Sequence, residues 1–365
     1  MKILHVESGR HLYGGARQVA YIVAGLHAAG VENIVACPLN AALAQEVKDH
    51  ALVLPLPMRG DVDAALYFRL KKIIAAHRPD IVHVHSRRGA DIFGGLAAKR
   101  LFVPCVLSRR VDNPESKWIV RYKYRLYDHI IAISDAIRNV LIREGVPESL
   151  VTTVRSAVDP SPYAPPVDRA LFCRTFDLPP NAMVVGIVAQ LIPRKGHRYL
   201  FQAVDDLRHT FPLLRVVCFG QGADDNTLVS NVNARGINDI VRFAGFRADL
   251  PKWLGGLTIL AHPADAEGLG VSLLQAAAAG VPIIASNAGG LPEAVQDGVT
   301  GLLIPPGDVT ALKEALTRLL LDPALRERMG AAGKQRILTD FSIDTMIRGN
   351  VAVYEKVLKL RFGKK

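Results

Sequence analysis

Met1-Lys2-Ile3-Leu4-His5-Val6 reads as a short buried strand, and Gly14-Gly15 then opens a helical stretch to about Ala29. Val19, Ile22, Val23 and Leu26 keep helical spacing along it. Strand, glycine turn and helix together make the opening unit of a parallel α/β sheet. The alternation recurs outward from there, with strands at Ile34–Cys37, Asp80–His85, Val103–Ser108 and Ile130–Ile133 and helices at Tyr67–His77 and Ala90–Arg100. Such alternation predicts a parallel sheet covered on both faces. Ser156–Asp168, carrying Pro160, Pro162, Pro165 and Pro166, has the composition of a linker. After it come strands at Val184–Val188, Leu214–Phe219, Ile240–Phe243, Thr258–Ala261 and Pro282–Ala285, with helices near Tyr199–His209 and Leu269–Ala279. Two doubly wound domains are therefore predicted, residues 1–165 and 166–342, facing one another across a cleft. A last helix, about Ile343–Leu360 within 343–365, has the length to return to the first domain.

The chain's 365 residues suit two domains, and 50% hydrophobic with 22% charged residues is a globular composition. No apolar run reaches the ~18–20 residues of a membrane span, and the N-terminus lacks the apolar core of a signal peptide. A cytoplasmic location is the expectation. Cys37, Cys105, Cys173 and Cys218 stand too far apart for zinc spacing and suit a reducing compartment. The formal charge of +11 points to an anionic partner. The excess is local: residues 87–125 hold ten basic side chains against Asp91, Asp112 and Glu115.

Glycines gather where strands hand over to helices, at Gly14-Gly15, Gly220-Gln221-Gly222, Glu267-Gly268-Leu269-Gly270 and Gly289-Gly290. Free N–H groups and the positive dipole end of a helix bind phosphate there, and glycine lets the backbone approach it. Repetition in two α/β domains favours a nucleotide diphosphate. The P-loop pattern, the dinucleotide GxGxxG and the GxSxG elbow are all missing. Asp61-Val62-Asp63 reads as a helix start, not a metal-binding pair.

Ala264-Asp265-Ala266-Glu267-Gly268-Leu269-Gly270-Val271-Ser272-Leu273-Leu274-Gln275, continuing to Pro282, closely resembles the signature of family 4 glycosyltransferases of GT-B fold, the group 1 type common in cell-envelope and lipopolysaccharide assembly. Pro193-Arg194-Lys195-Gly196 resembles that family's phosphate-lysine motif, Gly220-Gln221-Gly222 its glycine turn and Val241–Phe246 its base-pocket strand. Ala288–Glu293, Gly298–Asp308, Gly14-Gly15 and Asp80–His85 extend the likeness over nearly the whole chain.

The resemblance implies a metal-independent, retaining transfer of a sugar from a nucleotide-diphosphate donor, UDP by preference, to a hydroxyl of an envelope glycolipid or polysaccharide such as lipopolysaccharide. No cofactor or metal is implied, the nucleotide sugar being a substrate. His85, Glu267 and Lys195 are the implied catalytic residues. The donor falls to Gly14, Gly15, Arg194, Lys195, Gly220, Gly222, Phe246, Glu267, Gly268, Leu269, Gly270, Val271 and Gln275. Lys195, Arg194 and the N–H groups near Leu269–Val271 suit the charge of a departing diphosphate. His85 is implied as an orienting hydrogen-bond partner beside the transferred sugar. His83 is expected on the other face of the strand, in the core or at the surface.

Two positions depart from the pattern. Gln275 stands where the family has a second acid, offering one acceptor oxygen in place of a carboxylate. Gln190 stands where an arginine is usual. These departures keep open a catalytically weak nucleotide-sugar-binding protein, and the shared architecture keeps open a nucleotide-sugar 2-epimerase.

Arg87, Arg88, Arg109 and Arg110 follow first-domain strands and are expected to grip an anionic glycolipid or saccharide acceptor. Residues 116–127 read as a helix with Lys117, Arg121 and Arg125 in one row and Trp118, Tyr122 and Leu126 beside it. One reading is a peripheral contact with the cytoplasmic face of the inner membrane. The other makes Trp118, Ile119, Tyr122 and Leu126 core and the cations a solvated face. No nucleic-acid-binding signature accompanies them.

Overall fold

The computed structural model describes residues 1–85 and 89–363, which form two compact units: residues 1–157 with 343–363, and residues 158–342. In the first, β1 (Lys2–Val6), α1 (Gly14–Ala28), β2 (Glu32–Pro38), α2 (Ala42–Glu46), β3 (Leu52–Leu56), α3 (Ala65–His77) and β4 (Ile81–Val84) are followed by α4 (Ala90–Arg100), β5 (Cys105–Arg109), α5 (Lys117–Lys123), β6 (His129–Ala132), α6 (Asp135–Arg143) and β7 (Val151–Thr153). All seven strands are parallel, in the order β3-β2-β1-β4-β5-β6-β7. The strand order reverses direction between β1 and β4, so the carboxyl ends of these two strands flank the crevice where such sheets take ligands.

The second unit runs α7 (Arg169–Thr175), β8 (Met183–Val188), α8 (His197–Leu207), β9 (Leu214–Phe219), α9 (Asp225–Arg235), β10 (Val241–Gly245), α10 (Pro251–Leu254), β11 (Ile259–His262), α11 (Val271–Ala278), β12 (Ile283–Ser286), α12 (Leu291–Ala294), β13 (Gly301–Ile304), α13 (Val309–Leu321) and α14 (Pro323–Asp340). Its six parallel strands are ordered β10-β9-β8-β11-β12-β13, with the switch between β8 and β11. The central strands are apolar runs buried on both faces, as in Val184–Ile187, of which Val185 and Ile187 pack against the apolar stripe of α8 at Leu200, Phe201 and Val204.

The final helix, α15 (Ile343–Phe362), belongs to the first unit. Met346, Val353, Tyr354 and Val357 join Ile3, Ile22 and Leu26 in one core cluster. Helices α1 and α15 approach so closely that a Cβ on Gly25 would overlap the Ile347 side chain.

The predicted boundary at 165/166 is corrected to 157/158. The proline-rich segment is not a free linker: Val158 N–H donates to the Phe341 carbonyl at 3.1 Å, and Tyr163 is buried. Strands β3, β7 and β13 had no counterpart in the sequence reading. Among the described residues, no helix is long and apolar enough to cross a membrane.

Candidate active site

In the second unit the segments leaving β8 and β11 meet at the switch point. Lys195 closes a 3₁₀ turn of Pro193–Lys195 and is only 6% exposed. Its ammonium pairs with Glu267, whose Oε2 also lies 3.3 Å from His262 Nε2 while Oε1 accepts the Gly268 N–H at 3.0 Å. Burial alone would raise the Glu267 pKa; the His262 hydrogen bond and the Lys195 charge outweigh it and hold the carboxyl well below its usual range. Nearby, burial and the charges of His262 and Lys195 pull His197 down to about 4.

Glycine is required where these loops touch. Gly196 has φ +75° and a Cβ there would stand 1.9 Å from the Pro263 carbonyl oxygen; Gly289 has φ +55° and would collide with the Glu267 carbonyl. Gly290 N–H donates to that same carbonyl at 2.9 Å, and Asp265 N–H to the Arg194 carbonyl at 2.8 Å. Thus the backbone bearing Lys195 and Arg194 is tied to that bearing Glu267. Gly220 and Gly222 pack on the carbonyls of Ala189 and Leu191, bringing the loop after β9 against the same place. Gly268, Leu269 and Gly270 are buried, and half-buried Val271 opens α11, where the N–H groups of Val271 and Ser272 come before the helical ladder and that of Leu273 donates to the Gly270 carbonyl at 2.9 Å. Gln275 lies half-buried one turn further, Gln190 is exposed after β8, and Phe246 is exposed just beyond β10. His262, last residue of β11, is the member the sequence reading missed. Its strand-end position five residues before Glu267 was the available signal.

In the first unit the switch point gathers His5, His83, His85, Glu7 and Arg110. His83 is corrected to the same side as His85: the two rings stand 3.8 Å apart, because residues two apart in a strand share a face. His5 Nδ1 is 2.9 Å from His85 Nε2, and His5 Nε2 is 3.2 Å from Asn33 Oδ1. His83 is hydrogen-bonded to Tyr354 at 2.6 Å and Ser108 at 2.8 Å. The three imidazoles are near enough to be considered metal ligands. Their nitrogens do not suit one: all but His85 Nδ1 already have hydrogen-bond partners, and the Arg110 charge acts on His83 and His85. Arg110 is half-buried with its side chain in contact range of Gly15, at the start of α1 beside exposed Gly14. Burial lowers its pKa to about 10 against the opposing effect of Glu7, so it stays charged at neutral pH.

Arg109 is not at an acceptor surface. It is 2% exposed, bonded to Glu115 at 3.2 Å and to the Asn113 carbonyl at 2.5 Å. Glu115 also takes Lys123 at 2.8 Å and the Tyr124 hydroxyl at 2.9 Å, while Lys123 reaches Asp91 at 2.5 Å. A strand residue facing inward needs such pairing. Arg87 and Arg88 lie outside the described residues. The core reading of 116–127 is also corrected: Trp118 and Tyr122 are 70% and 59% exposed, stacked at 6.3 Å, and Ile119 is exposed. Val120, Lys123 and Tyr124 turn inward instead, and Leu126 is half-buried.

Residues 174–336 match the family model of glycosyl transferases group 1, and residues 13–162 match that of Glycosyltransferase Family 4. A D-inositol 3-phosphate glycosyltransferase of Salinispora tropica is 31% identical over 92% of this chain and 73% of its own. A glycogen synthase of Mycobacterium tuberculosis is 30% identical over 78% and 71%. Among solved structures, Anabaena HepE in complex with UDP-glucose superposes with a TM-score of 0.86 over 98% of this chain and 100% of its own, at 22% identity. These relatives are transferases and synthases, so the 2-epimerase reading is not carried forward. Each half of the chain thus matches its own family model, one relative is similar across most of both lengths, and the two parallel sheets are those of the GT-B fold: the chain belongs to glycosyltransferase family 4 and is a glycosyltransferase.

Proposed function

We propose that this enzyme moves a sugar from a UDP-sugar to a hydroxyl of an anionic envelope glycolipid such as lipopolysaccharide, with retention at the anomeric carbon and without a metal. The carrying observation is the ion pair of buried Lys195 with half-buried Glu267 at the switch point of the second sheet. A cation and a carboxylate one hydrogen bond apart match the two ends of a glycosyl diphosphate. Lys195, with Arg194 and the first-turn N–H groups of α11, neutralises the charge that grows on the departing diphosphate. Glu267, kept ionised and oriented by His262, accepts hydrogen bonds from the donor sugar's hydroxyls. Gln275 contacts the ribose, and Phe246 and the Gly220–Gly222 turn border the base. In the first unit Gly14-Gly15 and Arg110 serve the phosphate or acidic acceptor, and His85 the transferred sugar.

An anionic lipid surface on the cytoplasmic side of the membrane is the proposed setting of the acceptor. Glu115 and Asp91 are spent internally on Arg109 and Lys123, so the exposed cations Lys99, Arg100, Lys117, Arg121 and Arg125 face solvent largely uncompensated. Apolar side chains are exposed among them. Trp118 and Tyr122 stand on α5, while α3 and α4 line a groove of about 540 Å³ with Tyr67, Phe68, Phe93, Leu96 and Phe102. Lys99 bridges the two, lining the groove and donating to the Arg125 carbonyl at 2.7 Å. Apolar groups set among uncompensated cations are complementary to an anionic bilayer.

The test is nucleoside diphosphate release from a panel of UDP-, GDP- and ADP-sugars, with and without an envelope-glycolipid extract, in the presence of a chelator. Acceptor-dependent release of UDP is expected. Release only from another nucleotide, dependence on added metal, conversion of the donor without acceptor, or binding with no release would each overturn the corresponding part.

A further inference from the structure

The amide of Asn33, on β2, has its orientation fixed by three backbone carbonyls. Its Nδ2 lies 3.2 Å from the Val23 oxygen, 3.1 Å from that of Val31 and 3.4 Å from that of His50. An amide oxygen would be repelled there, so Oδ1 is the atom turned to His5 Nε2. An acceptor at that nitrogen puts the proton on it. His5 is fully buried and burial holds its pKa down at about 4, so the ring is neutral and Nδ1 carries only a lone pair. That lone pair lies 2.9 Å from His85 Nε2, which must then be the donor. Burial, with the charges of His83, His5 and Arg110, keeps His85 neutral too. Its single proton is therefore on Nε2, and Nδ1 is left as an acceptor. Among the described residues no group bonds to this buried nitrogen. His83 does not compete, since Tyr354 and Ser108 occupy both its nitrogens.

We propose that Asn33 and His5 are positioning residues that fix the tautomer of His85, so that its Nδ1 takes a hydrogen bond from a sugar hydroxyl and discriminates against phosphate or carboxylate oxygen at that point. The opposite tautomer would present N–H and favour an anionic oxygen instead. The chain of three side chains thus converts the packing of β1, β2 and β4 into a preference for one kind of substrate group. The inference rests on the reading of His85 as a sugar contact.

Long-range ¹H–¹⁵N correlation spectra of histidine-labelled protein at pH 7 report each imidazole's tautomer. Both His5 and His85 are expected with the proton on Nε2, and a proton on Nδ1 of either overturns the proposal even if no variant folds. His5→Leu removes the acceptor and is expected to give His85 a mixed tautomer and to lower kcat/KM for the sugar donor roughly tenfold. His5→Asn, whose amide oxygen can stand where Nδ1 stood, is expected to restore the Nε2–H form and most of the activity. A His85 tautomer unchanged in His5→Leu refutes the positioning role. A tautomer that shifts with activity intact leaves the relay standing but refutes the sugar contact, and with it the proposed discrimination.

Discussion

Glu267 holds three partners, Lys195, His262 and the Gly268 N–H, which under the proposed function a donor sugar must share. Lys195→Ala removes the cation proposed to stand beside the departing diphosphate and is expected to lower kcat about 10²–10³-fold, the range for loss of one charge-stabilising group. Glu267→Gln keeps the shape but gives up the charge opposing Lys195; single-turnover assays should show a comparable loss, with nucleotide affinity retained. Gln275→Ala is expected to raise the donor KM about five- to tenfold with a smaller change in kcat, the signature of a contact kept from ground state to transition state; an unchanged KM would remove Gln275 from the ribose. Lys195 and Glu267 were singled out in the sequence because Pro193–Gly196 and Ala264–Pro282 resemble the family's motifs. His5 and Asn33 were not, because sheet register brings them together from separate strands, as where Leu4 and His5 of β1 pair with Val82 and His83 of β4, whereas His262 lay within sight of Glu267 and was passed over. Arg109 was misread for a related reason. Sequence displays a pair of arginines but not the alternation that turns one inward to Glu115 and the other toward Gly15.

Among the elements, α4 ends on an unusual residue. Val103 N–H bonds back to the Ala98 carbonyl at 3.0 Å and Phe102 takes φ +59°, the left-handed closing position where glycine is the usual occupant. A phenylalanine there costs about 1–2 kcal/mol, and its ring is 73% exposed, so little packing offsets the strain. Phe102→Gly is therefore expected to raise Tm while weakening co-sedimentation with anionic vesicles; binding that stays intact would exclude the groove from the lipid contact. Central strands and several helices were legible through periodicity: the sequence reading of Ala90–Arg100 coincides with α4, and that of Tyr67–His77 is two residues short of α3, while α6, α9, α13 and α14 had no counterpart in it. Of the four edge strands only β10 was read, and β3, β7 and β13 were not. β3 carries Pro55 and is partly exposed, and β7 is three residues long, so neither displays a buried apolar run.

Across the molecule, buried neutral imidazoles set the response to acid. His5, His129 and His197 each sit at about 4 through burial, with His83 and His85 also well below their ordinary value. The unfolded chain takes up these protons near 6.5 and the folded one does not. Stability is therefore complete above pH 6.5 and falls as pH drops towards 4, by about 1.4 kcal/mol per pH unit for each such imidazole. Four of the five belong to the first unit and only His197 to the second. Hydrogen exchange at pH 5 against pH 7 should accordingly show the first unit losing protection while the second is largely retained; equal loss in both would contradict the assignment.

The placement of α15 has a consequence for how the protein is made. Residues 158–342 form a continuous stretch that can close as it leaves the ribosome, but the first unit is assembled from the segments on either side of it, 1–157 and 343–363. Until Met346, Val353, Tyr354 and Val357 emerge, the face bearing Ile3, Ile22 and Leu26 waits uncovered, and His83 lacks its Tyr354 hydroxyl. At about 5–20 residues per second that interval is roughly 10–40 s. The nascent first unit is thus the stage most in need of a chaperone.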